Sequence, residues 1–108
     1  MGFHAYEVSL EMIGAVGPVI DRIARRDRDL ADQMRRAASS VPLNIAEGSR
    51  RLGRDRLQCY RIAAGSADEL RAALRVAQAW GYVEAPAPSF ELLDREVAML
   101  WRLARARP

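Results

Sequence analysis

Apolar residues recur at Phe3, Tyr6, Leu10, Ile13, Ile20 and Ala24 in alternating steps of three and four, with Gly17 completing the series. That is the period of one helix face. A second stripe, Met12, Val16, Val19 and Ile23, runs beside the first. The helix predicted over residues 3–24 is therefore apolar on more than one narrow face. Pro18 lacks the N–H that would bond Gly14, which predicts a kink. Gly14 and Gly17 weaken the helix but would let a neighbouring backbone approach.

The charged link "RRDRD" follows, in which Asp29 or Asp27 can cap the next helix. Met34, Ala38, Val41, Ile45 and Gly48 then repeat in steps of four, three, four and three. The phase runs through Pro42 without a break, and a loop has no reason to preserve it. The stretch "SSVPLNIAEG" (39–48) thus reads as the bent C-terminal half of helix two, with Gly48 as its terminator. A third helix is predicted over 55–80. Its core face is Leu57, Tyr60, Ala64, Ala67, Leu70 or Arg71, Leu74, and Ala77 or Gln78, and Gly81 ends it. "EAPAPS" is a proline-broken loop.

Ser89 is expected to cap a fourth helix that turns Phe90, Leu93, Val97, Leu100 and Ala104 inward. Its acids (Glu91, Asp94, Glu96) come early and Arg102 and Arg105 late, in the order the helix dipole favours. Four amphipathic helices with short links predict an all-α, up-down-up-down antiparallel four-helix bundle, a single domain over 1–108.

Composition supports this. Of 108 residues half are apolar but only 6% aromatic, and a core of small side chains suits close-packed helices better than a sheet sandwich. No apolar run reaches the roughly 20 residues of a membrane helix. The N-terminus shows no basic region followed by an apolar block, so no secretory signal is visible. Cys59 is the one cysteine, which excludes an internal disulfide and points to a reducing compartment, the cytoplasm. Cys59 has no histidine beside it and reads as packing.

The net charge is +3 and the pI about 9.7. All 17 basic residues are arginine. A GC-rich coding bias accounts for that choice, yet guanidinium groups still fork onto phosphates and carboxylates more readily than ammonium groups.

One run pairs polar and apolar signals in an unusual way. Gln33, Arg35, Arg36, Ala37, Ser40, Pro42, Asn44, Ile45, Ala46, Glu47 and Gly48 stand in helix two, followed in helix three by Ile62, Ala63, Gly65, Ser66, Glu69 and Leu70. The pattern resembles Q-x-R-R-A-x-x-S-x-P-x-N-I-A-E-G and then I-A-x-G-S-x-x-E-L of the bacterial four-helix-bundle family related to the 23S rRNA intervening-sequence proteins. The match covers helices two and three, and helices one and four by pattern only. It departs before Gln33, where the family often has a Phe-Pro turn and this chain has "IARRDRD". The resemblance implies an up-down-up-down bundle, commonly in a ring of five, with no established enzymatic activity. Some members are encoded within rRNA intervening sequences. Distant relatives are basic, ring-shaped accessory proteins of retroelements that bind nucleic acid.

Residues three or four apart share a helix face, so Arg36, Ser40, Asn44, Glu47 and Arg51 form a polar line along helix two. A nucleic-acid or catalytic surface is one reading. The structural reading is preferred: Glu47 pairs with Arg36 or Arg51, and Ser40 and Asn44 satisfy carbonyls released by Pro42. That reading expects Asn44 and Glu47 to be largely buried between helices or subunits.

The densest basic stretch, "RRLGRDRLQCYR", brings Arg50, Arg51, Arg54, Arg56 and Arg61 to the turn between helices two and three. It is either a solvated turn or a phosphate-binding surface. A ring of five would gather roughly +15 on one particle, a field that attracts polyanions. "GSRRLGRD" mimics P-loop spacing, but Arg54 and Asp55 replace the lysine and hydroxyl and no strand is predicted before it.

His4 is the sole histidine, so a dinuclear site needing two Glu-x-x-His pairs is excluded, and no metal or cofactor is expected. Gly65-Ser66 lacks a G-x-S-x-G elbow and is expected at a close helix crossing. Trp101 lies off the core stripe, either exposed or as an interface anchor.

The expectation is a non-enzymatic, homopentameric bundle, an RNA-associated accessory protein using Arg50, Arg51, Arg54, Arg56 and Arg61, with DNA as a second possible nucleic-acid partner. The alternative is a homo-oligomeric scaffold for an unidentified protein partner, with no nucleic-acid role.

Overall fold

The computed structural model describes residues 2–84 and 87–105, and the side chains of 3–84 and 90–105. It holds four helices and no strand among these residues: α1 (Gly2–Ala24), α2 (Arg28–Ser49), α3 (Gly53–Ala79) and α4 (Ala87–Arg105). Each helix packs against two neighbours in the cycle α1, α2, α3, α4, which leaves α1 and α3 on one diagonal and α2 and α4 on the other. Cross-helix bonds show the antiparallel sense. Gln33 meets Glu69 and Ser40 meets Ser66, so α3 descends as α2 ascends. Asp68 meets Trp101 and Arg71 meets Asp94, which gives the same relation between α3 and α4.

Caps set most of the boundaries. Asp27, rather than Asp29, caps α2: its carboxylate accepts from the Leu30 N–H at 3.0 Å. Gly81, at φ 77°, ends α3. The Tyr82 N–H bonds the Ala77 carbonyl and the Gly81 N–H bonds that of Gln78, both at 2.9 Å, the Schellman pattern that only a left-handed residue closes cheaply. α2 continues through Pro42, so residues 39–48 are helix and not loop. Of the loop expected over 84–89, residues 85 and 86 lie outside the described residues. α4 already begins at Ala87, which places Ser89 within its first turn instead of at its cap; the Ser89 side chain lies outside the described residues.

The core is assembled from small residues on α2 and α3, with Ala37, Ala38, Ala63, Ala64 and Ala67 all buried, and from larger ones at Met12, Met34, Ile45, Leu70, Leu74, Leu93 and Leu100. Full burial of a Leu, Ile or Met side chain contributes about 1.5–3 kcal/mol. On α3, Leu70 and Ala77 take the inward positions rather than Arg71 and Gln78. On α1 the second stripe wins. Met12, Val16, Val19 and Ile23 are all buried, whereas of the first only Ile20 is buried and Phe3 is 75% and Leu10 42% exposed.

Two expectations need correction. A Cβ at Gly14, Gly17 or Gly65 would meet nothing within 4 Å, so the chain makes no close approach to itself there. Trp101 is not a free anchor: it is half-buried, its Nε1–H donates to Asp68 at 2.9 Å, and the Arg105 guanidinium lies 6.0 Å from its ring centroid. No helix of the described residues is long and apolar enough to cross a membrane.

Candidate nucleic-acid interface

α2 stops at Ser49 because the chain must turn within residues 50–52 to start α3 at Gly53. A helix end leaves carbonyls without N–H partners. The N–H groups of Arg50 and Arg51 serve those of Glu47 and Gly48 at 3.1 Å. Arg56 reaches back from α3 for the rest. Its Nε–H is shared between the carbonyls of Gly48 (3.2 Å) and Arg51 (2.9 Å), and a terminal nitrogen lies 3.5 Å from that of Ser49. Arg56 is therefore turned inward onto backbone.

Gly48 does not terminate α2. It is buried inside the helix, and Arg50, at φ −97°, is the C-cap. A Cβ at position 48 would stand 2.8 Å from Tyr60 Cε1 and 3.1 Å from Cys59 Cβ. The glycine thus lets α2 and α3 converge just before the turn.

Glu47 organises the other two arginines of the turn. Its Oε2 accepts from Arg51 Nε at 2.8 Å and its Oε1 from an Arg50 guanidinium nitrogen at 2.9 Å. The Arg51 hydrogen bond, followed by that of Arg50, holds the Glu47 carboxyl below its usual range, and Glu47 in turn raises Arg51. Arg51, not Arg36, is the partner of the two considered. Both ion pairs are exposed, with the Arg50 side chain 75% accessible. Such pairs are weak and exchangeable. Arg54 and Arg61 are exposed.

The rest of the polar line bonds within the protein. Asn44 Nδ2 donates to the Ser40 carbonyl (2.9 Å) and to Ser40 Oγ (3.0 Å), and Ser66 Oγ donates to Ser40 Oγ at 2.8 Å, tying α3 to α2. The carbonyl that Pro42 leaves open is that of Ala38, so Asn44 serves a position two residues further on. Asn44 and Glu47 are half-buried in the single chain, and Arg36 is exposed. Arg35, Arg36, Ser39, Ser40, Leu43 and Asn44 line a shallow depression of about 460 Å³ on the outer face of α2. Among the described residues no group of three or more His, Cys, Asp or Glu converges as metal ligands would.

The residue that the charge pattern misplaces is Glu96. Its sign puts it among the early acids of α4. It is fully buried, and neither carboxylate oxygen has a hydrogen-bond partner. Burial pushes its pKa up to about 8, with Arg95 opposing. The signal lies in its register: Glu96 stands three after Leu93 and four before Leu100, on the face those residues bury.

A family model described as 23S rRNA-intervening sequence protein matches residues 4–103. No curated protein and no solved structure matches the chain.

Proposed function

Starting from a chain that belongs to the 23S rRNA-intervening sequence protein family, we propose a non-enzymatic accessory protein of the cytoplasm that binds RNA through the α2–α3 turn. The observation that carries this reading is the turn itself. Arg50, Arg51, Arg54 and Arg61 are exposed there, on a chain of net charge +3, with Glu47 and Asp55 as the acids beside them. Phosphate oxygens can displace the Glu47 carboxylate from Arg50 and Arg51 because those pairs are solvated. Arg56 is turned inward, its Nε–H shared between the Gly48 and Arg51 carbonyls, so the reading rests on the other four arginines.

In this reading the chain assembles as a homopentamer, with α2 bent at Pro42 where Ala38 lacks its N–H partner. Five turns then act on one polyanion, and the summed field strengthens capture. Binding is weak, tolerant of sequence and steeply salt-dependent, with each phosphate contact adding about 0.7 to the log–log salt slope on single strands.

Filter binding at low salt with an unstructured RNA and a DNA of equal length tests this. Retention that falls with added salt, and a shallower slope for Arg50→Ala/Arg51→Ala/Arg54→Ala, are the expected results. No retention of either polymer ends the proposal. The competing scaffold reading draws on the exposed Phe3, Leu43 and Ile62. It would give protein association insensitive to salt.

A further inference from the structure

The end of the bundle opposite the α2–α3 turn carries an aromatic surface that the core does not use. α1 runs into α2 there, and α3 into the link before α4. Trp80, the C-cap of α3, is 66% exposed. The other tryptophan, Trp101, is half-buried and bonded to Asp68. The ring of Trp80 lies nearly parallel to that of Tyr82, at 16° and 6.3 Å between centroids, an offset arrangement that leaves most of the indole open.

Tyr82 is fixed by three contacts. Its N–H bonds the Ala77 carbonyl in the turn that Gly81 closes, its phenol donates to Asp27 Oδ2 at 3.3 Å, and the Arg26 guanidinium lies 5.4 Å from its ring centroid. Asp27 is in turn the N-cap of α2. The two links thus orient the pair of rings before any ligand arrives, which lowers the ordering cost of binding. Charge surrounds the rings as well. Arg22, Arg25, Arg26 and Arg28 are exposed about the α1–α2 link, and none makes an ion pair among the described residues. The nearby acids are Asp29, Glu84 and Asp27, the last committed to the α2 cap and to Tyr82.

We propose that Trp80, backed by Tyr82 and flanked by Arg25, Arg26 and Arg28, is a second nucleic-acid site that stacks an unpaired base of single-stranded RNA. Every base presents a π face, so an exposed indole accepts any of them, while guanidinium groups beside it hold the phosphates. The α2–α3 turn gathers arginines with no exposed aromatic ring among them and responds to phosphate charge. The Trp80 platform responds to whether a base is free, because the bases of a duplex are already stacked on one another. The two sites stand at opposite ends of α3, whose 27 residues span about 40 Å. The platform therefore goes beyond the turn and does not rest on it.

Tryptophan fluorescence of the full chain, titrated at low salt with a three-nucleotide RNA, tests this. The oligomer is too short to bridge the two ends. Saturable quenching is expected in the wild type and, equally, in Arg50→Ala/Arg51→Ala/Arg54→Ala. It should vanish in Trp80→Ala. Longer labelled RNAs, followed by anisotropy, supply the second readout. Trp80→Ala should weaken a single strand by at least about fivefold, with the salt slope unchanged, and leave a duplex of the same sequence unaffected; Trp80→Phe should recover most of the loss. Helical circular dichroism checks each fold, and Trp80→Leu, which keeps apolar bulk without a π face, replaces Trp80→Ala if that variant unfolds. No quenching in the wild type overturns the platform, as a surface for a protein partner would give. Quenching that survives the loss of Trp80, or equal weakening of single strand and duplex, overturns it too. RNA retention that depends on the turn arginines, without quenching, leaves the turn reading standing alone. Quenching at Trp80, with RNA binding indifferent to the turn arginines, ends the turn reading and leaves the platform.

Discussion

Glu96 offers a quantitative test of how the bundle stores charge. Its carboxyl is fully buried on α4 and both oxygens lack partners. The charge that opposes this burial is Arg95, next to it on the same helix. The helices packed against α4 are α1 and α3, whose inward residues are apolar there: Met12, Val16, Val19 and Ile23 from α1, Ala63, Ala67, Leu70 and Leu74 from α3, with Ser9 of α1 already bonded to the Tyr6 carbonyl.

Desolvation therefore raises the folded pKa to about 8, from the 4.5 of an unperturbed glutamate. A carboxyl with a raised folded pKa binds its proton more tightly when folded. Its contribution is full below pH 4.5 and is lost as the pH climbs through 8. At about 1.4 kcal/mol per pKa unit, the loss is about 3 kcal/mol by pH 7 and about 5 kcal/mol above pH 9. Urea unfolding from pH 5 to 9 reads it. Glu96→Gln should remove the part of the slope due to this group while keeping the shape. Glu96→Leu should also remove the unsatisfied oxygens and raise stability at pH 7 by about 3 kcal/mol or more. If wild type and Glu96→Gln keep the same pH dependence over this window, Glu96 is not held protonated and the burial argument is wrong.

Two further substitutions address the turn. Gly48→Ala gains about 1 kcal/mol of helix propensity but drives its methyl into Tyr60 and Cys59. A net loss of up to about 2 kcal/mol in thermal or urea unfolding is expected, since overpacking a fixed contact costs about 1–3 kcal/mol; a stabilised variant would show that α2 and α3 can part there without penalty. Glu47→Gln releases Arg50 and Arg51. Stability should change by less than about 1 kcal/mol because both pairs are exposed, while RNA affinity in filter binding should rise; weaker binding would mean that Glu47 holds the arginines in the shape that phosphate needs.

The four helices are legible because periodicity is a local property: the phase carried through Pro42 marks α2 as helix however it is packed. What a local pattern cannot decide is which of two apolar stripes on one helix meets the core. On α1 both have the right spacing, and the neighbours α2 and α4 select Met12, Val16, Val19 and Ile23. Glu96 is misplaced for the converse reason: residue type outranks register, and register is right. At the turn, charge density picks out a segment but cannot apportion its arginines. Five arginines look equivalent in sequence. Their division follows from α2 ending at Ser49 with carbonyls to satisfy, which turns Arg56 inward, and from Glu47 lying within reach of Arg50 and Arg51. The surface proposed for RNA is therefore what remains after the helix ends and core have taken their share: the exposed guanidinium groups of Arg50, Arg51, Arg54 and Arg61 on the turn.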